Sequence, residues 1–229
     1  MRSIWKTLDR EQLRDIALVC LSVGVIGISY GAIAVTSGFP PWFPPLTGML
    51  VLAGSSEFLF VGIIAAGGNP IAAVLAGLLV NARHVPYGLA ISEVVGSGWQ
   101  RGLSTHLMND EAVAFALAQE DLPRKRAAYR ACGIGVLVCW PGGALLGVLL
   151  GAVVHNTNTF GLDAMFPAVL LALIVPALRE REPRRAALAG AAIALAAAPF
   201  LPPGLPVLLA LAGLLFTITR HKEIEKVTC

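Results

Sequence analysis

Charge is scarce in this chain. Of its 229 residues only 14% are Asp, Glu, Lys or Arg while 56% are hydrophobic, and a soluble domain carries roughly a quarter of charged residues. So few charges cannot clothe a water-exposed globule, and the composition reads instead as an integral membrane protein. Cysteine is scarce too: Cys20, Cys132, Cys139 and Cys229 are the only four, and no C-x-x-C pair occurs, which argues against a disulfide framework and against a zinc site. The signatures H-E-x-x-H and G-x-S-x-G are missing. The net charge is only +3, and the basic residues fall in short clusters between apolar runs rather than along one amphipathic face, so no nucleic-acid partner is expected. The basic stretch "MRSIWKTLDREQLRD" precedes an apolar run with no clear small-residue cleavage site, so that run is expected to be a retained first span.

What the chain has in abundance is long apolar segments. They fall at 16–36, 47–66, 70–92, 131–154, 162–178, 186–199 and 204–219, with a more polar one at 103–119. About 20 residues of helix reach the roughly 30 Å of a hydrocarbon core. The basic clusters orient them. Arg2, Lys6, Arg10 and Arg14 precede the first segment, and Arg124, Lys125, Arg126 and Arg130 follow 103–119. If both clusters are cytoplasmic, an even number of crossings separates them, so 103–119 must cross. "HNTNTFGLD" (155–163) lacks Lys and Arg and would face out, whereas "REREPRR" (179–185) and "RHKEIEK" (220–226) would face in. The expected fold class is therefore all-α. It is a single transmembrane domain over 1–229, a polytopic bundle of seven to eight spans with both termini cytoplasmic. Pro44, Pro45, Pro70, Pro86 and Pro141 lie at segment ends or interiors, so broken helices near the midplane are expected. Gly24, Gly27 and Gly31 in one span, and Gly143, Gly147 and Gly151 in another, have the small-residue spacing of close helix contacts, within the chain or against a second polypeptide. Trp5, Trp42 and Trp99 sit near segment ends, where interfacial indoles are common.

The stretch "LLVNARHVPYG" (78–88) places Asn81, Arg83 and His84 inside an apolar run. An Arg at the centre of a membrane helix costs roughly 2.5–3.5 kcal/mol on insertion scales, so a partner is expected. Glu57 is central in 47–66, and Asp110 and Glu111 are central in 103–119, which suggests one buried polar centre where these segments meet. On an unbroken helix Asn81, His84 and Gly88 share one face and Arg83 and Tyr87 another, while His106 and Asp110 are i, i+4 partners. Glu111 points about 100° from Asp110, so one carboxylate is free to pair with Arg83. Pro86 donates no N–H, which leaves the carbonyl of Ala82 without that partner and predicts a break near "NARHVP". Gly54, Ser55 and Ser56 in "AGSSEF" predict a second. Midplane charges beside broken helices are the pattern of transporter substrate sites. The plainer alternatives are a structural ion pair, helix-to-helix hydrogen bonds for Glu57, and packing or back-bonding roles for Ser55, Ser56 and Tyr30.

Three stretches, "AGSSEF", "AAGGNPIAAVLAGLLVNARHVPYGLA" and "LMNDEAVAFAL", together resemble the AzlC-type branched-chain amino acid permeases, the large subunit of two-component bacterial exporters. The resemblance runs from about residue 20 to 215, with its sharp motifs between 53 and 118. It implies export of leucine, isoleucine and valine, with methionine a further candidate, across the bacterial cytoplasmic (inner) membrane, in complex with a small AzlD-like transmembrane subunit. It implies neither a cofactor nor an enzymatic activity, and it falls on Asn81, Arg83, His84, Asp110 and Glu111. Many members carry Gln where this chain has Glu57, so the acid is a departure that would suit proton coupling. A zwitterionic substrate needs a group for its carboxylate, such as Arg83 or a helix N-terminus, and one for its ammonium, such as Glu57 or Asp110. Ser55, Ser56, Tyr87 and His106 are secondary candidates, and an acid or His84 would exchange a proton for substrate. The competing classes are a passive channel, a structural membrane subunit, and a membrane-embedded hydrolase with Glu57, His84, His106 and Asp110 as metal ligands, which Arg83 beside the metal disfavours.

Overall fold

In a computed structural model of the chain, residues 7–153, 171, 175, 177–201 and 205–214 are described. Among them every regular element is helical. The span expected at 162–178 lies almost wholly outside the described residues, as do Trp5, the loop 155–163, the basic tail 220–226 and Cys229.

Two compact units divide the chain, one formed by Met1–Glu57 and Leu79–Asp163, the other by Phe58–Leu78 and Ala164–Cys229. The first is built on two long helices. α1 (Arg10–Thr36) begins in a capping box in which the Asp9 carboxylate accepts the Gln12 N–H at 2.8 Å and Gln12 reaches back to the Asp9 N–H at 3.4 Å. α9 (Leu122–Val153) starts where Asp121 accepts the Arg124 N–H at 2.8 Å. Among the described residues these are the two helices long and apolar enough to cross a membrane. Their outward faces remain apolar, with Leu18, Leu21 and Val25 exposed on α1 and Leu145, Leu146, Leu149 and Leu150 on α9. α9 starts nine residues before the expected segment, so Arg124, Lys125, Arg126 and Arg130 stand on its first turns.

The glycine stripes of α1 and α9 face each other. A Cβ on Gly27 would stand 2.7 Å from the Trp140 carbonyl oxygen, and Cβ atoms on Gly31, Gly143 and Gly147 would meet the carbonyl oxygens of Ala144, Gly24 and Ile28. Backbone therefore lies directly on backbone, which only hydrogen at these positions permits.

Between the long helices the chain runs as short ones: α2 (Phe43–Leu50), α3 (Gly54–Ala65), α4 (Pro70–Asn81), α5 (His84–Ala90), α6 (Ser92–Val95), α7 (Trp99–His106) and α8 (Asp110–Leu117). Each of the segments 47–66, 70–92 and 103–119 is thus interrupted. The break in the first falls at residues 51–53, just ahead of Gly54, where Leu52 adopts φ 51°. That left-handed conformation costs a non-glycine residue about 1–2 kcal/mol. The break at Ala82–Arg83 agrees with the expectation from Pro86, but the Ala82 carbonyl is not orphaned. It accepts the Val85 N–H at 3.1 Å in a tighter turn. The third break, at Leu107–Asn109, overturns the expected i, i+4 pairing of His106 with Asp110, because the two stand on different helices. For the same reason Asn81 and His84 do not share a continuous helix face. Trp42 and Trp99 are exposed at the starts of α2 and α7.

In the second unit, Ile63, Ala73 and Ala76 form a core joined by Leu59, Phe60, Ile64 and Leu208. α10 (Arg181–Ala197) starts within the basic stretch 179–185 and packs through Gly190 against Ala210, in a 3-10 turn (Ala210–Leu214) that follows α11 (Leu205–Leu209).

Candidate functional site

Two polar clusters occupy the first unit, and α3 carries a residue of each. The first forms around Arg83, which stands immediately before α5 at the Ala82–Arg83 break. Its Nη1 pairs with Asp110 Oδ2 at 3.0 Å and its Nη2 donates to Ser55 Oγ at 2.7 Å. Asp110 is the first residue of α8, where the helix dipole favours a carboxylate. Asn109 caps that helix by accepting the Ala112 N–H at 2.8 Å. The starts of α3, α5 and α8 therefore converge on one ion pair, and of the two acids in 103–119 it is Asp110 that takes Arg83.

The pair is made through one oxygen and one nitrogen. Its side chains are 34% and 40% exposed, so it is not sealed, yet Arg83 Nε, Asp110 Oδ1 and Asn81 Oδ1 are screened and have no hydrogen-bond partner among the described residues. A screened donor and a screened acceptor thus sit on the two sides of a single contact. Groups so placed cost free energy until they are bonded. Tyr87 faces Asp110, and Glu111 lies within electrostatic range of both Asp110 and Arg83. His84 turns back, its Nδ1 2.9 Å from the Asn81 carbonyl oxygen, and its ring meets Tyr87 edge-on at 6.0 Å.

The second cluster surrounds Glu57, which is 4% exposed. Its Oε1 accepts the Ala53 N–H at 3.1 Å, closing the first turn of α3, and Trp140 Nε1 donates to both oxygens at 3.1 and 3.3 Å. The hydroxyls of Tyr30 and Thr47, 2.8 Å apart, face the same carboxylate. Glu57 is thus directed at α9 and the α2–α3 break, whereas Ser55, two residues earlier, takes Arg83. Ser56 Oγ donates to the Ala53 carbonyl at 2.8 Å and serves the turn itself. His106 is exposed at the end of α7, with Nε2 2.9 Å from the Met49 carbonyl oxygen of α2. Among the described residues no group of three His, Cys, Asp or Glu side chains is arranged to hold a metal.

Sequence reasoning did not single out Trp140 or Thr47. The available signal was that an indole N–H inside an apolar run needs an acceptor, and that Glu57 was the acid still lacking a donor.

The AzlC protein family model matches residues 18–154. The branched-chain amino acid transport protein AzlC of Bacillus subtilis is 27% identical over 207 residues, covering 88% of this chain and 80% of the relative. Uncharacterized membrane proteins of Archaeoglobus fulgidus and Haemophilus influenzae are each 27% identical. The first match covers 75% of this chain and 76% of the relative, the second 74% and 71%. No solved structure matches. The family match spans more than half of the chain and includes every side chain of both polar clusters, and the chain belongs to the AzlC family.

Proposed function

We propose that this chain is a secondary transporter that exports leucine, isoleucine and valine, with methionine as a further substrate, across the bacterial inner membrane. The substrate class is supported by the name of the Bacillus subtilis relative, a branched-chain amino acid transport protein. The observation that carries the reading to particular atoms is the one-point contact between Arg83 and Asp110. It leaves Arg83 Nε unbonded, to donate to a substrate carboxylate, and Asp110 Oδ1 with Asn81 Oδ1 unbonded, to accept from its ammonium, once the helix starts that screen these atoms part. Tyr87 and Glu111 border that contact, and Ser55 holds the guanidinium's other arm.

In this reading the chain is one transmembrane domain of seven to eight crossings with cytoplasmic termini. The segments 47–66, 70–92 and 103–119 cross as broken pairs of short helices. Phe43 to Ala65, Pro70 to Ala90 and Trp99 to Leu117 each hold residues enough for roughly 28–35 Å of helical rise, against a hydrocarbon core of about 30 Å. Breaks at the binding centre allow alternating access, with Glu57 or His84 exchanging a proton for substrate and a small AzlD-like subunit completing the complex.

The test is efflux of labelled valine and methionine from cells with and without the chain, repeated with a co-expressed small hydrophobic subunit. Arg83→Ala is expected to abolish efflux while membrane insertion persists; efflux at the parental rate would refute the assignment.

A further inference from the structure

We propose that Trp140 is a positioning residue for the Arg83 centre, acting through Glu57 and the first turn of α3. The inference rests on the transport reading of Arg83 and adds a residue to it.

Trp140 belongs to α9, the helix whose backbone lies directly on α1, and it is 3% exposed. Its ring is held on several sides. Tyr30 of α1 stacks on it with centroids 5.4 Å apart and planes 15° from parallel. Gly48 of α2 and Gly54 of α3 lie so close that added Cβ atoms would stand 3.0 Å from Cδ1 and 2.9 Å from Cη2. Its indole N–H is then spent on Glu57, whose Oε1 also closes the first turn of α3 onto the Ala53 N–H. The indole therefore fixes where α3 starts relative to α9, across a break that includes the left-handed Leu52.

That turn leads directly to Arg83. Gly54, against the ring, is followed by Ser55, whose Oγ accepts from Arg83 Nη2 at 2.7 Å. Residues two apart on a helix point about 200° from each other, so a turn held at Glu57 on one side presents Ser55 on the other. Ser55 restrains one arm of the guanidinium, and the rest of Arg83 meets Asp110. If Trp140 lets go of Glu57, Ser55 shifts, and the donor offered to substrate shifts with it. Small misplacements of this kind cost binding more than they cost folding.

The test is leucine counterflow in membrane vesicles carrying the full chain with whatever subunit activity requires. Trp140→Phe keeps an aromatic ring for Tyr30 to stack on and removes the N–H that holds Glu57, together with the five-membered ring that faces Gly48. Trp140→Phe is expected to raise KM for leucine about tenfold while the maximal rate per molecule stays within about twofold. Placed on a Ser55→Ala background, Trp140→Phe is expected to add less than about twofold, because both changes release the same arm. An unchanged KM, or effects that multiply in full, would overturn the proposal. Loss of the Trp140→Phe variant from the membrane would overturn it as well, since it assigns Trp140 to folding. Failure of the transport reading is seen separately, as counterflow that survives Arg83→Ala.

Discussion

Replacing Asp110 by Asn tests the proposed binding centre with the least disturbance of shape. The side chain keeps its size and its place as first residue of α8, and loses only its charge. For folding the loss is small. The Arg83–Asp110 pair is more than one-third exposed at Asp110 and about one-third at Arg83, and pairs of that kind contribute at most about 1 kcal/mol. For transport the loss is larger, because a hydrogen bond to a charged group is worth about 1.5–3 kcal/mol and the substrate ammonium would meet an amide in place of a carboxylate. At 1.4 kcal/mol per factor of ten, that is roughly a 10- to 150-fold fall in transport efficiency. The assay is efflux of preloaded labelled leucine, normalised to the amount of protein in the membrane by immunoblot. Membrane abundance close to parental with efflux down by at least tenfold is the expected result. Efflux within twofold of parental would refute the idea that Asp110 receives the ammonium. A parallel loss of protein would show that the pair serves folding.

Further substitutions probe the scaffold. Gly142 and Gly143 are neighbours with opposite expectations. A Cβ on Gly142 meets nothing within 4 Å, so Gly142→Ala should stabilise by about 0.5–1 kcal/mol, whereas Gly143→Ala strikes the Gly24 carbonyl and should destabilise by about 1–3 kcal/mol, both read by thermal denaturation in detergent. Leu52→Gly would relieve about 1–2 kcal/mol of backbone strain but empty a site where Leu52 is only 3% exposed, a loss of about 2–5 kcal/mol, so a net fall in thermal stability is expected. His106→Gln keeps a donor for the Met49 carbonyl at an exposed position, and should leave KM for leucine within about twofold in counterflow.

How much of this was legible in the sequence depended on local signals. The pairing of Arg83 with an acid of 103–119 followed from the scarcity of charge in apolar runs, and the break beside Arg83 from Pro86. Which carboxylate would pair was not legible, since that depends on a break at Leu107–Asn109 containing neither Pro nor Gly. The run Asn109-Asp110-Glu111 did hold a helix-start signal, a capping Asn followed by acids, but its place in an apolar segment hid it. Glu57 was expected to join the Arg83 centre. It is directed at Trp140 instead, and nothing in a one-dimensional pattern tells which face of α3's first turn meets α9. The glycine spacing announced close packing, and only coordinates could assign the two stripes to each other.

The seam between α1 and α9 has a mechanical consequence. Carbonyl oxygens resting on glycine hydrogens leave no side chains to repack, so these two helices have no cheap way to slide and must travel as one beam. In the transport reading proposed above, a rearrangement that carries a solute past Arg83 would fall to the short rods around it, whose interrupted joints at residues 82–83 and 107–109 can pivot without unzipping that beam, while the start of α3 stays tied to it through Glu57 and Trp140.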